Sequence, residues 1–241
     1  MNDLERLSQQ MEDMQRELRR LQAVVEIQNI MARYEALLVP QTMDRVGPET
    51  FAMWREDVSM EVSGMGVFEG PKALTLLFTE LMGPGNEPRR DDGTPNLEGA
   101  MYMHHVNTPA IQVAGDGRTA HCVWFSSGVE TPFNKETGSR QAKWCWGKYA
   151  ADFILGDCGW RIWHLHWFRG FMHDYHASWV EEYEREPRTS VACERFDFVK
   201  PTTYHRPYSP HREILPVPCS PDPYETHDGG DWALGDWLKK S

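Results

Sequence analysis

Apolar residues in the first part of the chain fall at Leu4, Leu7, Met11, Met14, Leu18, Leu21 and Val25, alternating steps of three and four with Glu, Gln and Arg between them. That is the a/d pattern of a coiled-coil seam. It predicts a helix that either self-associates or packs as an amphipathic helix on its own domain; self-association into a dimer or trimer is the favoured reading. The helical pattern runs on through Ile27, Ile30, Met31, Tyr34, Leu37 and Leu38 and stops at Val39-Pro40, because proline biases the residue before it away from helix. Gly47-Pro48 opens a short helix over 49–56, and Val58, Met60 and Val62 alternate as in a half-buried strand. Gly70-Pro71 starts a helix over 72–82. The stretch 83–99 is rich in Gly, Pro, Asp and Arg and predicts a long surface loop, a length often used for lids.

From 100 to 175 the pattern changes to strands and turns. Runs over 102–114, 119–131, 141–155 and 160–171 are separated by the turn Gly115-Asp116-Gly117, the polar loop 132–140 and the turn Gly156-Asp157-Cys158-Gly159. That spacing is the one antiparallel hairpins need. Helices first and a meander after is an α+β order. A last short helix is expected over 179–186. Seven prolines between Pro201 and Pro223 then exclude regular structure. Tyr204, Tyr208, Tyr224, Trp232 and Trp237 are interleaved with or follow those prolines, and disordered tails are usually poor in aromatics. The tail is therefore expected to wrap over the domain or a neighbouring subunit. The division is a heptad extension over 1–21, a domain over 22–175 and a helix-plus-tail segment over 176–241.

Charge removes some partners. The 241 residues carry 25 Lys+Arg against 36 Asp+Glu, a formal net charge of −11, which argues against nucleic acid or an anionic membrane as partner. The polar opening, without an apolar core, does not read as a secretory signal. The five cysteines show no C-x-x-C spacing, so free thiols in the cytoplasm are expected.

Candidate chemistry concentrates in the strands. Seven of the ten tryptophans lie between Trp124 and Trp179, suited either to an aromatic core or to a pocket for a flat aromatic ligand. Trp144 and Trp146 share a face with Lys148. Trp160, Ile162, His164, His166 and Phe168 oppose Trp163, Leu165, Trp167, Arg169 and Phe171. Of the neighbouring His104 and His105, alternation lets only one face an interior. His105 shares parity with Met101 and Met103, which favours His105 as the inward acid or base. His164-x-His166 has a spacing that can bind zinc, yet no third ligand stands at a diagnostic distance, and no metal is assigned. No nucleotide-binding or nucleophile motif is found, so no cofactor is expected.

The helix Glu26-Ile27-Gln28-Asn29-Ile30-Met31-Ala32-Arg33-Tyr34, the strand His104-His105-Val106-Asn107-Thr108-Pro109-Ala110-Ile111, the turn Gly115 to Ala120, Gly147-Lys148-Tyr149 and Gly159-Trp160-Arg161-Ile162 together resemble the SnoaL-like branch of the nuclear transport factor two-like superfamily. The resemblance covers roughly 22–175. It implies a cone-shaped α+β barrel, with N-terminal helices packed on a curved, mostly antiparallel sheet, and cofactor-free proton transfer on a flat hydrophobic molecule. It also implies site roles. Tyr34 matches a helix-one tyrosine, His105 a strand histidine and Arg169 a late arginine. The aspartate slot holds Leu38-Val39-Pro40, leaving Asp44 as the nearest downstream carboxylate. His104, Lys148, Trp124, Trp146 and His164 are the expected substrate contacts. The Pro-Tyr tail and aromatic sheet further resemble bacterial diarylpropane γ-formaldehyde lyases of lignin breakdown, which implies benzylic dehydroxylation to a quinone methide and release of formaldehyde to leave a stilbene. A dehydratase or isomerase on another polycyclic substrate, or a non-catalytic binding module, are the alternatives.

Overall fold

The computed structural model describes residues 3–185, 192–193 and 195–240. The heptad and the following helical pattern form one unbroken helix, α1 (Asp3–Leu37). Its second half is amphipathic in the ordinary sense, burying Ala23, Ile27, Met31, Tyr34 and Leu37 against the sheet. Its first half touches the sheet through Arg20, which donates to the Val113 carbonyl at 3.1 Å, and leaves its apolar stripe uncovered. Leu4, Leu7, Met11, Met14, Leu18, Leu21 and Val25 are each 55–79% exposed.

After α1 the chain makes a tight turn at Met43–Arg45 and a short helix, α2 (Val46–Thr50). This helix is shorter and earlier than the expected 49–56. Phe51 is drawn out extended onto the last strand, where it bridges Ile162 and the Ala52 N–H donates to the Ile162 carbonyl, ending the helix. A hairpin follows, β1 (Ser59–Val62) and β2 (Gly66–Glu69). α3 (Pro71–Leu76) runs into a wider π-helical turn at Leu77–Leu81. Four long strands complete the order: β3 (Tyr102–Val113), β4 (Thr119–Glu130), β7 (Lys143–Gly156) and β8 (Gly159–Asp174). A two-residue ribbon, β5 (Phe133–Asn134) with β6 (Ser139–Arg140), lies between β4 and β7.

The six-stranded sheet is ordered β2-β1-β8-β7-β4-β3. All pairs are antiparallel except β1 with β8. Three register shifts, at Asn107/Ala110, Trp146/Gly147 and Asp152/Phe153, raise the local twist and bend the strands. The result is the α+β cone, with N-terminal helices packed on a curved sheet. Bulges also break simple parity. Ile162 and Leu165 both sit in the core, although strict alternation puts them on opposite faces.

Residues 177–185 are turns and irregular chain rather than the expected helix; its last residue, Glu186, lies outside the described residues. The tail then lies along the outer face of the sheet. Buried Glu61 accepts hydrogen bonds from the Thr202 hydroxyl, from Thr203 N and Oγ1 (both 2.7 Å) and from Tyr204 N (3.3 Å). Further along, Gly115 N and Asp116 N donate to Tyr224 and Glu225 carbonyls. Among the described residues no helix is long and apolar enough to cross a membrane. All five cysteines are unpaired.

Candidate active site

The mouth of the cone encloses a cavity of about 360 Å³, within the usual span for a small-molecule site. Its apolar walls come from Met60, Leu81, Met82 and Met172, and its polar lining includes Tyr34, Tyr102, His104, Glu130, Tyr149 and an Arg169–Glu184 pair. Cross-strand register explains the convergence, since partners in an antiparallel pair share a face. Tyr102 pairs with Glu130, His104 with Gly128, Trp124 with Tyr149, and Tyr149 with Trp167, so all of these side chains point inward. Tyr34 reaches the same space from α1, its ring edge-on to Tyr149 at 5.8 Å.

His104, not His105, is the interior histidine. Its Nε2 is 3.0 Å from Glu130 Oε1 and its Nδ1 is 3.5 Å from Ser126 Oγ. The ring stands edge-on to Trp167. It fits only because its cross-strand partner is a glycine. A Cβ on Gly128 would meet His104 Nδ1 at 2.5 Å. Burial opposes protonation of His104, but the Glu130 hydrogen bond and the charges of Glu130 and Glu35 outweigh it, and the imidazole titrates above its ordinary value. His105 is exposed, its Nδ1 3.2 Å from the Ser127 carbonyl. The apolar-parity argument failed because Met101 and Met103 are themselves exposed.

The interior carboxylates are ones the sequence reading did not name. Glu35 follows Tyr34 on α1. Both its oxygens are buried with no well-formed hydrogen bond. Burial raises its pKa, against partial relief from His104 and the Tyr149 hydroxyl. Glu130 ends β4 beside His104. Asp44, the expected carboxylate, is exposed in the turn after α1 and lines none of this space. A signal for Glu35 existed, because it lies between Met31 and Leu38 on the buried stripe of the helix.

Burial, with the Glu35 charge next, pushes the Tyr34 phenol well above its ordinary range, and burial does the same to Tyr149. Both are therefore neutral donors. The Trp167 indole N–H is buried and has no partner although Trp167 lines the cavity. An unpaired buried donor on a cavity-lining side chain calls for an explanation, and an acceptor bound there is one.

The other expected contacts lie elsewhere. Trp124 is packed in the core against Phe153. Trp146 and Lys148 are on the outer face. Trp146 stacks on Phe171 and the Lys148 ammonium sits 4.9 Å over Phe125. Both border a groove of about 590 Å³ between the sheet and the tail, and burial lowers the Lys148 pKa. His164 is also outside, hydrogen-bonded to Asp152 at 2.8 Å. His166 does not join it, lying 3.2 Å from Glu61 and stacked on Phe168. Of the seven tryptophans between Trp124 and Trp179, only Trp167 lines the cone. Arg169 is at the cavity mouth but already engaged, donating to Glu184 Oε2 at 2.9 Å and lying 3.1 Å from His205 Nε2.

The long loop forms part of the cavity wall through Asn86. Arg140 ties it down, donating to the Glu98 and Asn96 carbonyls and pairing with buried Glu87 at 2.7 Å.

His104, Glu130 and Cys145 offer three ligand atoms within 4.8 Å of one another, so a divalent metal is sterically possible there. Burial, reinforced by the Glu130 charge, pushes the Cys145 thiol well up, which favours the neutral thiol over a ligating thiolate.

The sequence model of the SnoaL-like domain matches residues 19–166. The chain belongs to the SnoaL-like family. Its fold is shared with a type 2 hexachlorocyclohexane dehydrochlorinase, LinA, at TM-score 0.51 and 13% identity, over 67% of this chain and 95% of that one. LinA-type3 from Novosphingobium barchaimii LL02 gives the same score and identity over 67% of this chain and 96% of its own. At such identity the likeness is one of fold. A search of curated proteins gives no match. The helix that carries the outer heptads begins before the matched span, and the tail follows it.

Proposed function

We propose that this SnoaL-like protein is a cofactor-independent lyase or dehydratase that moves protons on a flat, oxygen-bearing hydrophobic molecule held in the cone. The observation that carries this is the convergence of His104, hydrogen-bonded to Glu130 at 3.0 Å, with the Tyr34 and Tyr149 phenols on one enclosed cavity. An imidazole, whose ordinary pKa lies near neutrality, can both give and take a proton in that range. Neutral phenols and the free Trp167 N–H are suited to hold a substrate oxygen as negative charge develops on it. The fold shared with the dehydrochlorinase is compatible with such eliminations.

Within that class, the first substrate to test is a phenolic diarylpropane of the lignin type. Protonated His104 donates to the benzylic hydroxyl. The C–O bond breaks with its electron pair, water leaves, and release of the phenol proton to solvent water leaves a neutral quinone methide. Neutral His104 then accepts the proton of the terminal hydroxymethyl group. The C–C pair flows into the quinone methide, releasing formaldehyde and the stilbene phenolate, and His104 ends protonated as it began. Tyr34 acts here as a donor rather than as the base, because its phenol stays protonated. Lys148 takes no part, since it lies across the sheet.

Product mass spectrometry with a formaldehyde assay on a panel of such dimers tests this reading. Wild-type turnover lost by about 10²–10⁴ in His104→Gln and kept in His105→Gln is the expected pattern. Equal turnover in both variants sinks the site. No turnover on any substrate, with tight binding instead, favours a binding module.

The exposed heptads of α1 support self-association of this helix with a second or third copy of the chain. Seven large apolar side chains on one solvent-facing stripe are costly unless covered, and a/d spacing presents them along a single seam.

A further inference from the structure

A set of metal ligands stands on the outer face of the sheet, away from the cone. His121 of β4 and Asp152 of β7 are cross-strand partners, so their side chains project side by side. The tail brings His227 over them. His121 Nε2 is 3.2 Å from His227 Nδ1 and 3.7 Å from Asp152 Oδ1, and the three ligand atoms all lie within 4.8 Å of one another. A tetrahedral ion bonded at about 2.0–2.1 Å separates its ligand atoms by about 3.3 Å, so two of these spacings are within a few tenths of an ångström of what coordination needs.

The ligands are also held in place by their surroundings. The His121 ring is sandwiched between Tyr224, 3.9 Å away and nearly parallel, and Trp232 at 4.8 Å. Asp152 is fixed by His164 Nδ1 on Oδ2 at 2.8 Å and by the Trp232 indole N–H on Oδ1 at 2.7 Å. Outer groups that orient ligating carboxylates and imidazoles in this way are the usual support of metal sites. The neighbouring cavity, bordered by Asp152, His164 and His227, leaves room for a water as fourth ligand.

We propose that His121, Asp152 and His227 bind one divalent transition-metal ion, zinc by its preference for imidazole and carboxylate, and that the ion pins the C-terminal tail to the sheet. Two strands of the sheet and one tail residue then share a single centre, which is what makes the ion a clasp. The site is separate from the proton chemistry in the cone and does not depend on it.

Cobalt titration of the metal-free full chain, purified without an affinity tag, tests the proposal. One equivalent of Co²⁺ should bind and give visible d–d absorption without near-ultraviolet thiolate charge transfer. His227→Ala should weaken binding by at least ~10-fold, while His211→Ala, on the tail away from the cluster, should bind as wild type. Zinc should slow tryptic cleavage within the tail of the wild type and leave His227→Ala unprotected. His227 lies on the tail, so its removal leaves the sheet intact. No stoichiometric binding, a thiolate band pointing to Cys145, or unaltered binding by His227→Ala each overturns it.

Discussion

Gly128→Ala tests the inward placement of His104 without removing any charge. Gly128 has no positive φ, so an alanine is tolerated by the backbone, and the loss of unfolded-state freedom alone would stabilise the protein by about 0.4–1 kcal/mol. The new Cβ, however, would stand 2.5 Å from His104 Nδ1, where ordinary contact begins at 3.4 Å. The ring has to move by roughly 0.9 Å, the difference of those two distances. That displacement is large against the 3.0 Å bond to Glu130 Oε1. Losing a hydrogen bond to a charged group costs about 1.5–3 kcal/mol, so the variant should be less stable by about 0.5–2.5 kcal/mol, measured by urea unfolding. The titration should change as well. Glu130 helps hold the folded-state pKa of His104 above the ordinary value, so the folded protein binds more protons than the unfolded one in that range. The associated stability is fully present below about pH 6.5 and is lost as pH rises through the folded pKa. In Gly128→Ala the His104 imidazole resonance should titrate lower and this pH dependence should flatten. Unchanged titration together with unchanged stability would refute the packing of His104 against Gly128.

Tyr34→Phe should leave the fold intact, its ring being packed among Phe51 and Phe78, and lower turnover by about 10²-fold, the scale of a lost oxyanion donor; steady-state kinetics with an unchanged thermal midpoint checks this. Arg140→Met leaves buried Glu87 unpaired and frees several loop carbonyls. It should cost about 3–5 kcal/mol in urea unfolding, with faster proteolysis of the long loop. A Leu7→Lys, Leu18→Lys double variant, at positions already exposed in one chain, should retain single-chain stability but shift sedimentation to a smaller species.

The strands were legible because alternation and turn chemistry are local. The ends of β3, β4 and β7 agree with the pattern to within two residues, whereas β8 runs three residues past it, to Asp174. β2 was not legible, since Gly66-Val67-Phe68-Glu69 is too short to alternate and pairs only because β1 returns beside it. α2 was misplaced because a tertiary contact, Phe51 on Ile162, ended it. Face assignments failed at the bulges, where one extra residue reverses the parity of everything beyond it. Thr108, with its φ of 45°, marks such a point in β3. No local signal announces these positions.

The more instructive failure is the inversion of inside and outside around the cavity. Binary patterning assumes that apolar residues face the interior. The cone places Tyr102, His104, Glu130 and Tyr149 inside, and it leaves Met101, Met103, Phe125 and Trp146 outside. Trp146 and Phe125 are half-exposed and line the groove between sheet and tail, while Trp124 and Trp160 are packed in the core, so the tryptophan band of the sequence is divided among core, cone and outer face. The same inversion hid the carboxylates. A search for an aspartate after the helix passes over Glu35, which sits on the helix's own buried stripe, and Glu130, which alternation alone marks as an ordinary strand end. A glutamate on the core-facing stripe of an amphipathic helix beside a buried tyrosine is shifted toward its neutral acid by burial, and the Tyr149 hydroxyl and the His104 charge partly relieve it. The coupling runs both ways, since the Glu35 charge is one of the causes that raise the His104 pKa.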